Sequence, residues 1–248
     1  MAHQLGLVAA ARRALPGDLA DRLSPHATVL RSRGGRLLLN VGAPSTSVHL
    51  VLEGRVQVVV CSGHGGEVIL RDLAAGDLFG ELSAIDGRPR STSIVALGDC
   101  TVASIPGPAF RDAACATPEG ALWLARRLTA QVRGLTERIL ELNTLRVPAR
   151  LHCELLRLST DDPETGGRTI DPAPTHADLA ARVGTHREAV TRELRWLAGR
   201  NILAQHRRRI EITDVPALAK LVREAKGDDR DPLEDAAAND ARMLGTTA

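Results

Sequence analysis

Two stretches of this 248-residue sequence carry residue types whose spacing could do chemistry. The first is Gly76-Asp77-Leu78-Phe79-Gly80-Glu81-Leu82-Ser83, followed by Arg88-Pro89-Arg90-Ser91-Thr92. Glycines let backbone N–H groups come close to an anion, and the start of a short helix adds donors. Arg90 can offer a planar fork to phosphate oxygens. Glu81 can accept from a sugar hydroxyl, and Ser83 and Ser91 can donate short hydrogen bonds. A cyclic phosphate carries one charge and needs several donors in a dry pocket, which this set can supply. Burying an Arg and a Glu is costly unless they are paired or matched by a ligand. A cassette that keeps its fold without binding anything is the alternative reading.

The second stretch is Val183-Gly184-Thr185-His186-Arg187-Glu188-Ala189-Val190-Thr191-Arg192. Arg187, Glu188 and Thr191 should project from the first turns of a helix, with Arg192 one turn beyond Glu188. Such side chains reach base edges when a helix N-terminus enters the major groove. Arg pairs bidentately with guanine, and Glu accepts from the cytosine amino group. An i,i+4 pair between Glu188 and Arg192 would also suit this spacing. Residues 175–210 hold eight Arg against three acids, a local net charge of +5 in a chain whose net charge is only +2. A basic block in a near-neutral chain points to a local anionic partner.

These residues need elements to hold them. From about Leu23 to Pro106 the chain reads as short strands broken by glycine turns. Leu37–Val41, Val48–Leu52, Arg55–Cys61, Glu67–Asp72 and Ser91–Val95 are the expected strands. In Arg55–Cys61, Val56, Val58 and Val60 alternate with Arg55, Gln57 and Val59, which predicts one buried face. The regular short spacing favours an antiparallel roll or sandwich. From Pro118 to Leu145 the pattern becomes helical. Ala121, Ala125, Leu128, Val132, Leu135, Ile139 and Leu142 form a narrow heptad seam, which suits a parallel two-stranded coiled coil. A helix lying on its own β-domain is the other reading.

Beyond Pro148, the spacing predicts a helix over Val147–Leu158 and a polar loop or small hairpin over Asp161–Pro174. Thr175 should cap a helix ending at Val183, with Asp178 at its third position. After a glycine turn, Thr185 should cap His186–Gly199. Ile202–His206 and Arg209–Thr213 read as a hairpin wing, Pro216–Glu224 as a closing helix and 227–248 as a disordered acidic tail of net charge −4. The expected organisation is a β-domain with an N-terminal helical segment (1–117), a dimerisation helix (118–146), a winged helix-turn-helix (147–226) and the tail. The fold class is α+β.

Composition excludes other classes. Aromatics are 2%, too few for single-stranded nucleic-acid stacking platforms. No apolar run approaches a membrane span of about 20 residues. Met1–Ala14 has Arg12 and Arg13 after its apolar stretch, the reverse of a secretory signal, so the cytoplasm is expected. Cys61, Cys100, Cys115 and Cys153 include no CxxC, which argues against disulfides or a zinc knuckle. His176, His186 and His206 lack metal-ligand spacing. No nucleophile–base set appears, so no enzyme is expected. Cys61 and His64 are a weak haem pair; no haem or metal is expected.

In these motifs and their order, the chain from about Leu23 to Lys226 resembles the CRP/FNR superfamily of bacterial transcription regulators. The resemblance implies an N-terminal antiparallel β-roll that binds a cyclic nucleotide, a long dimerisation helix and a C-terminal winged helix-turn-helix. It places Gly80, Glu81, Leu82, Ser83, Arg90 and Ser91 around the cyclic phosphate and ribose, and Arg127 near the purine. Where cAMP-binding relatives carry a Thr-Ser pair toward the base, this chain has Gln131-Val132. Gln131 could meet a base edge; Val132 could not. Thr92 or Ser91 could meet a guanine amino group, so cAMP is the first expectation and cGMP the second. Arg187 and Arg192 would read guanine and Glu188 cytosine in TGTGA-like half-sites of palindromic double-stranded DNA. Thr175, Thr185, His186 and His206 would touch phosphates. Arg207, Arg208 and Arg209 would add nonspecific attraction. A homodimer that contacts RNA polymerase is implied. A ligand-independent regulator, one sensing another signal, and a nucleotide-binding module acting on protein partners are the alternatives.

Overall fold

The computed structural model describes residues 15–61, 66–162 and 167–227, together with Pro232. The expected N-terminal helical segment is described only from Leu15 on, and the Cys61–His64 pair at its histidine and the acidic tail beyond Gly227, save Pro232, lie outside the described residues. The chain divides into two compact units, one running to Gln131 and the other starting at Val132.

The first unit opens with α1 (Gly17–Leu23) and a short 3-10 turn. Eight strands follow: β1 (Thr28–Ser32), β2 (Leu37–Leu39), β3 (Val48–Glu53), β4 (Arg55–Cys61), β5 (Glu67–Ala74), β6 (Leu78–Phe79), β7 (Ser93–Ala96) and β8 (Cys100–Ile105). The short helix α2 (Glu81–Asp86) sits between β6 and β7, and α3 (Gly107–Cys115) follows β8. Two four-stranded antiparallel sheets form, ordered β1-β8-β3-β6 and β2-β7-β4-β5. Val51, Phe79 and Val102 from the first sheet pack with Val56, Leu73 and Ile94 from the second. This is the expected antiparallel roll. The strands β1, β6 and β8 escaped the sequence reading, because β6 has two residues and the other two carry mixed polarity.

The alternation expected in β4 fails at its second half. Val59 is buried, whereas Val60 is only half-buried. The pairing with β5 shifts register between Val58 and Val59, but the extra residue, Leu70, lies in β5, so the bulge reorients β5 and leaves the β4 backbone regular. Gln57 is buried too, its Nε2 donating to Asp72 Oδ1 at 3.2 Å.

The helix α4 (Pro118–Thr144) begins in the first unit, where Trp123 joins a core with Leu19, Phe110 and Leu78. Trp123, Arg127 and Ala130 share one buried face. The heptad seam lies elsewhere on the helix and faces solvent. Val132 is 62%, Leu135 50%, Ile139 61% and Leu142 41% exposed.

The second unit continues with α5 (Val147–Leu158), β9 (Thr160–Asp161), β10 (Arg168–Ile170), α6 (His176–Val183), α7 (Arg187–Gly199), β11 (Leu203–Gln205), β12 (Ile210–Ile212) and α8 (Val215–Lys226). Leu151, Leu155, Leu179, Val190, Leu194, Ile212 and Leu218 fill its core. The wing is larger than the expected hairpin: β9 and β10 extend it to four strands ordered β11-β12-β10-β9. Thr175 caps α6 in a full capping box with Asp178. Thr185 does not cap α7. Its backbone N–H donates to the Ala180 carbonyl and closes the preceding turn, so His186 becomes the first residue to leave helical geometry. Among the described residues, no helix is long and apolar enough to cross a membrane.

Candidate functional site

In the first unit, Gly80 caps α2 in the left-handed region at φ 83°, which favours glycine. Space makes the same demand. A Cβ there would lie 2.7 Å from Arg90 Nη1 and 2.9 Å from the Ser47 carbonyl oxygen. That closeness lets Arg90 Nη1 donate to the Gly80 carbonyl at 2.7 Å. Nη2 donates to Ser45 Oγ at 3.1 Å and to the Ser47 carbonyl at 2.5 Å. Arg90 is 3% exposed. All three acceptors are neutral, and among the described residues Arg90 forms no ion pair. Burial pulls its guanidinium below the usual range, and the Glu81 charge opposes that shift.

Glu81 is also 3% exposed, and its Oε1 accepts from Gln131 Nε2 at 2.8 Å. Gln131 therefore turns its amide to the carboxylate, not to open space. Arg127 is pinned as well: Nη2 donates to the Leu78 carbonyl at 3.0 Å and lies 3.6 Å from Asp77 Oδ1. Ser83 is buried, Leu82 and Ser91 are exposed, and Thr92 is half-buried. Sequence reasoning missed four residues here. Ser45 and Ser47 hold the Arg90 fork from a polar run without a motif. Arg71 lies within electrostatic reach of Glu81, Arg127 and Asp77, and burial lowers its pKa. His49 stacks on Phe79 with ring centroids 5.0 Å apart. Burial first, then the Arg90 charge, lowers its pKa to about 4. The cluster thus sets Arg71, Arg90 and Arg127 against Asp77 and Glu81, three cations against two anions. Such a surplus in a desolvated place suits an anionic group.

In the second unit, two hydrogen bonds lock α7 against its neighbours. His176 Nδ1 lies 2.8 Å from Thr191 Oγ1, and His152 Nε2 lies 2.8 Å from Glu193 Oε1. Thr191 Oγ1 also donates to the Arg187 carbonyl at 3.0 Å. Thr191 is half-buried and committed to these contacts, so it positions the helix and does not project as expected. Arg187, Glu188, Arg192 and Arg195 are exposed and, with Thr191, line one shallow concavity. The expected i,i+4 pair does not form: among the described residues Glu188 makes no ion pair. Thr175, His186, His206 and Arg207 are exposed, and Thr185 is half-buried.

The basic block is sorted by its surroundings. Arg182 is buried beside Glu154 at 3.4 Å, Arg209 pairs with Asp162, and Arg200 lies 4.1 Å over the Trp196 ring. Arg209 is therefore unavailable for the nonspecific role expected of it. Arg187, Arg192, Arg195, Arg200, Arg207 and Arg208 remain exposed. Beneath them lies a second buried charge cluster. Glu154 accepts from Arg138 at 2.6 Å and Arg157 at 2.5 Å, while Glu141 accepts from Arg157 at 2.8 Å and sits 3.4 Å from Lys226. Burial alone would raise the Glu154 pKa, but Arg157, Arg138 and Arg182 overcome it and hold it at about 2.

An eight-stranded roll with a buried Arg–Glu cassette and a helix-turn-helix carrying an exposed basic face define a DNA-binding regulator of the cyclic-nucleotide-domain class. Residues 30–114 match the cyclic nucleotide-binding domain family, and residues 149–221 match the Crp-like helix-turn-helix domain. The chain belongs to the CRP/FNR superfamily of transcription regulators. It is 27% identical over 191 residues to a CRP-like cAMP-activated global transcriptional regulator of Mycobacterium tuberculosis, covering 76% of this chain and 85% of that protein. It is 28% identical over 178 residues to the cAMP-activated global transcriptional regulator CRP of Haemophilus influenzae, covering 71% and 79%. The structure of FixK2 from Bradyrhizobium japonicum matches with a TM-score of 0.70 at 22% identity, covering 79% of this chain and 96% of FixK2. That last likeness is one of fold.

Proposed function

We propose that this protein is a homodimeric, cytoplasmic transcription regulator whose affinity for palindromic DNA is set by a cyclic nucleotide, cAMP before cGMP. The observation that carries the reading is the Arg90 guanidinium, buried and, among the described residues, hydrogen-bonded to neutral oxygens alone. A cyclic phosphate would supply the missing negative charge. Arg90 holds the phosphate, with Gly80, Leu82, Ser83 and Ser91 around it. Glu81 accepts from the ribose hydroxyl. Arg127, Gln131 and Thr92 lie toward the base. The exposed seam of α4 supports dimerisation, since a row of apolar side chains at heptad spacing is stabilised by a second copy. Arg187, Glu188 and Arg192 read bases in TGTGA-like half-sites. Thr175, Thr185, His186, His206 and Arg207 touch phosphates, and Thr191 sets the angle of the helix. Names of relatives support cAMP and transcriptional control. RNA polymerase is the partner that such control requires.

Titration calorimetry of nucleotide-free protein with cAMP and cGMP tests the ligand, and a gel shift on randomised palindromes with each nucleotide tests the coupling. Saturable binding that tightens the DNA complex is expected. Equal DNA affinity with and without either nucleotide would overturn the control. A ligand-independent regulator is the second reading. The Gln131–Glu81 bond favours it, because it satisfies the carboxylate without any nucleotide.

A further inference from the structure

A cleft of about 590 Å³ opens at one end of the β1-β8-β3 sheet, away from the cassette residues. The run Arg31-Ser32-Arg33-Gly34-Gly35-Arg36 forms one wall. The pairing of Arg31 with Thr101 and Ser32 with Cys100 brings in the start of β8, and Glu53 pairs with Thr101 from the other side. Arg31, Arg33 and Arg36 all line the cleft and are exposed. Among the described residues, none of these three side chains has an ion pair or hydrogen bond. The two acids of the cleft leave them alone. Asp99 Oδ1 accepts from the Gly34 backbone N–H at 3.3 Å, and Glu53 Oε2 accepts from Thr101 Oγ1 at 3.3 Å.

Ser32 is 8% exposed, and among the described residues its Oγ has no hydrogen-bond partner. A buried hydroxyl without a partner is unfavourable, and such groups mark places where another atom belongs. Ser32 is one of the residues that border the cleft with these three guanidinium groups, and its hydroxyl is turned away from solvent.

We propose that this cleft binds the phosphate group of a small phosphorylated molecule that also carries hydroxyl groups. Phosphate oxygens match the guanidinium fork. Glu53 and Asp99 would accept from sugar or polyol hydroxyls. The volume suits a ligand of sugar-phosphate or nucleotide size, within the roughly 300–1,000 Å³ of small-molecule sites.

The test titrates the full chain with ribose 5-phosphate and with inorganic pyrophosphate at constant ionic strength, reading NMR shifts of the Gly34, Gly98 and Thr101 amides. Saturable shifts are expected with both probes. Arg33→Ala/Arg36→Ala should weaken binding by about tenfold or more, the scale for removing charge partners. Arg111→Ala, an exposed cation elsewhere in this unit, should change nothing. Arg90→Ala should leave the shifts intact, which separates this cleft from the cassette. Loss of the shifts in Arg90→Ala, or equal shifts with chloride, would overturn the proposal. So would tighter saturation by a hexaglutamate peptide or an unrelated DNA duplex with no response to ribose 5-phosphate. Those outcomes would make the cleft a docking face for acidic protein or for nucleic acid.

Discussion

Each unit of this protein buries a cluster of charge, and the two clusters are answered differently. In the second unit, Glu154 and Glu141 meet Arg138, Arg157, Arg182 and Lys226, so each buried charge has an opposite charge beside it. In the first unit, Arg90 meets carbonyls and a hydroxyl, and the surrounding cluster carries one cation in excess. The same residue types thus serve two ends. A buried charge matched by its opposite fixes helices to one another, here α4, α5, α6 and α8. A buried charge matched only by dipoles is stable enough to fold yet gains more from an added anion.

The largest expected effect tests the matched cluster. Glu154→Gln would leave Arg138, Arg157 and Arg182 facing no carboxylate at that point. The second unit should lose about 3–5 kcal/mol, the scale for breaking a buried pair on one side. Urea unfolding checks this, and a loss under 1 kcal/mol would mean the cluster does not hold the helices.

The mirror experiment is Arg90→Ala. Its stability cost should be small, because no buried carboxylate loses a salt-bridge partner. Cyclic-nucleotide binding should weaken by roughly 2–5 kcal/mol. Calorimetry on the folded variant decides; unchanged affinity would remove the contrast between the two clusters.

Acid should separate the units in order. His49 has a pKa of about 4 in place of 6.5, so the fold disfavours its protonation. Its contribution is complete above pH 6.5 and declines as pH falls toward 4. Glu154 has a pKa of about 2 in place of 4.5, so its contribution is complete above 4.5 and declines toward pH 2. Each shift corresponds to on the order of 3 kcal/mol. Hydrogen exchange of the Val48–Val51 amides should therefore quicken at a higher pH than that of Leu151–Leu156. The reverse order would contradict the assignment. Nucleotide bound at Arg90 should lessen the repulsion that His49 feels and protect the first unit near pH 5.

The smallest effect concerns a charge with neither kind of answer. Glu188 is exposed and, among the described residues, makes no ion pair. Glu188→Ala should leave stability unchanged and relax the choice of base at one position of each half-site, by about tenfold. Binding selection on randomised half-sites measures it, and identical selected sites would exclude Glu188 from base reading.

Much of this was legible in the chain. The sequence by itself determined the antiparallel roll, the long helix with its apolar seam, the Thr175 capping box and the turn at Gly184, because periodicity, caps and glycine act within a few residues. It also marked Gly80, Glu81 and Arg90, since a motif is a local pattern. The contacts that give these residues their character are long-range, and only the tertiary structure decided them. Ser45 and Ser47 reach Arg90 across 45 and 43 positions of chain, and Gln131 reaches Glu81 across 50. The register shift between β4 and β5, with Leu70 left over in β5, depends on both strands. Which arginines of the basic block stay exposed was likewise a tertiary matter. Arg182 and Arg209 read like their neighbours in sequence, but folding sets Glu154 and Asp162 beside them, and a cation paired in that way already has its charge answered.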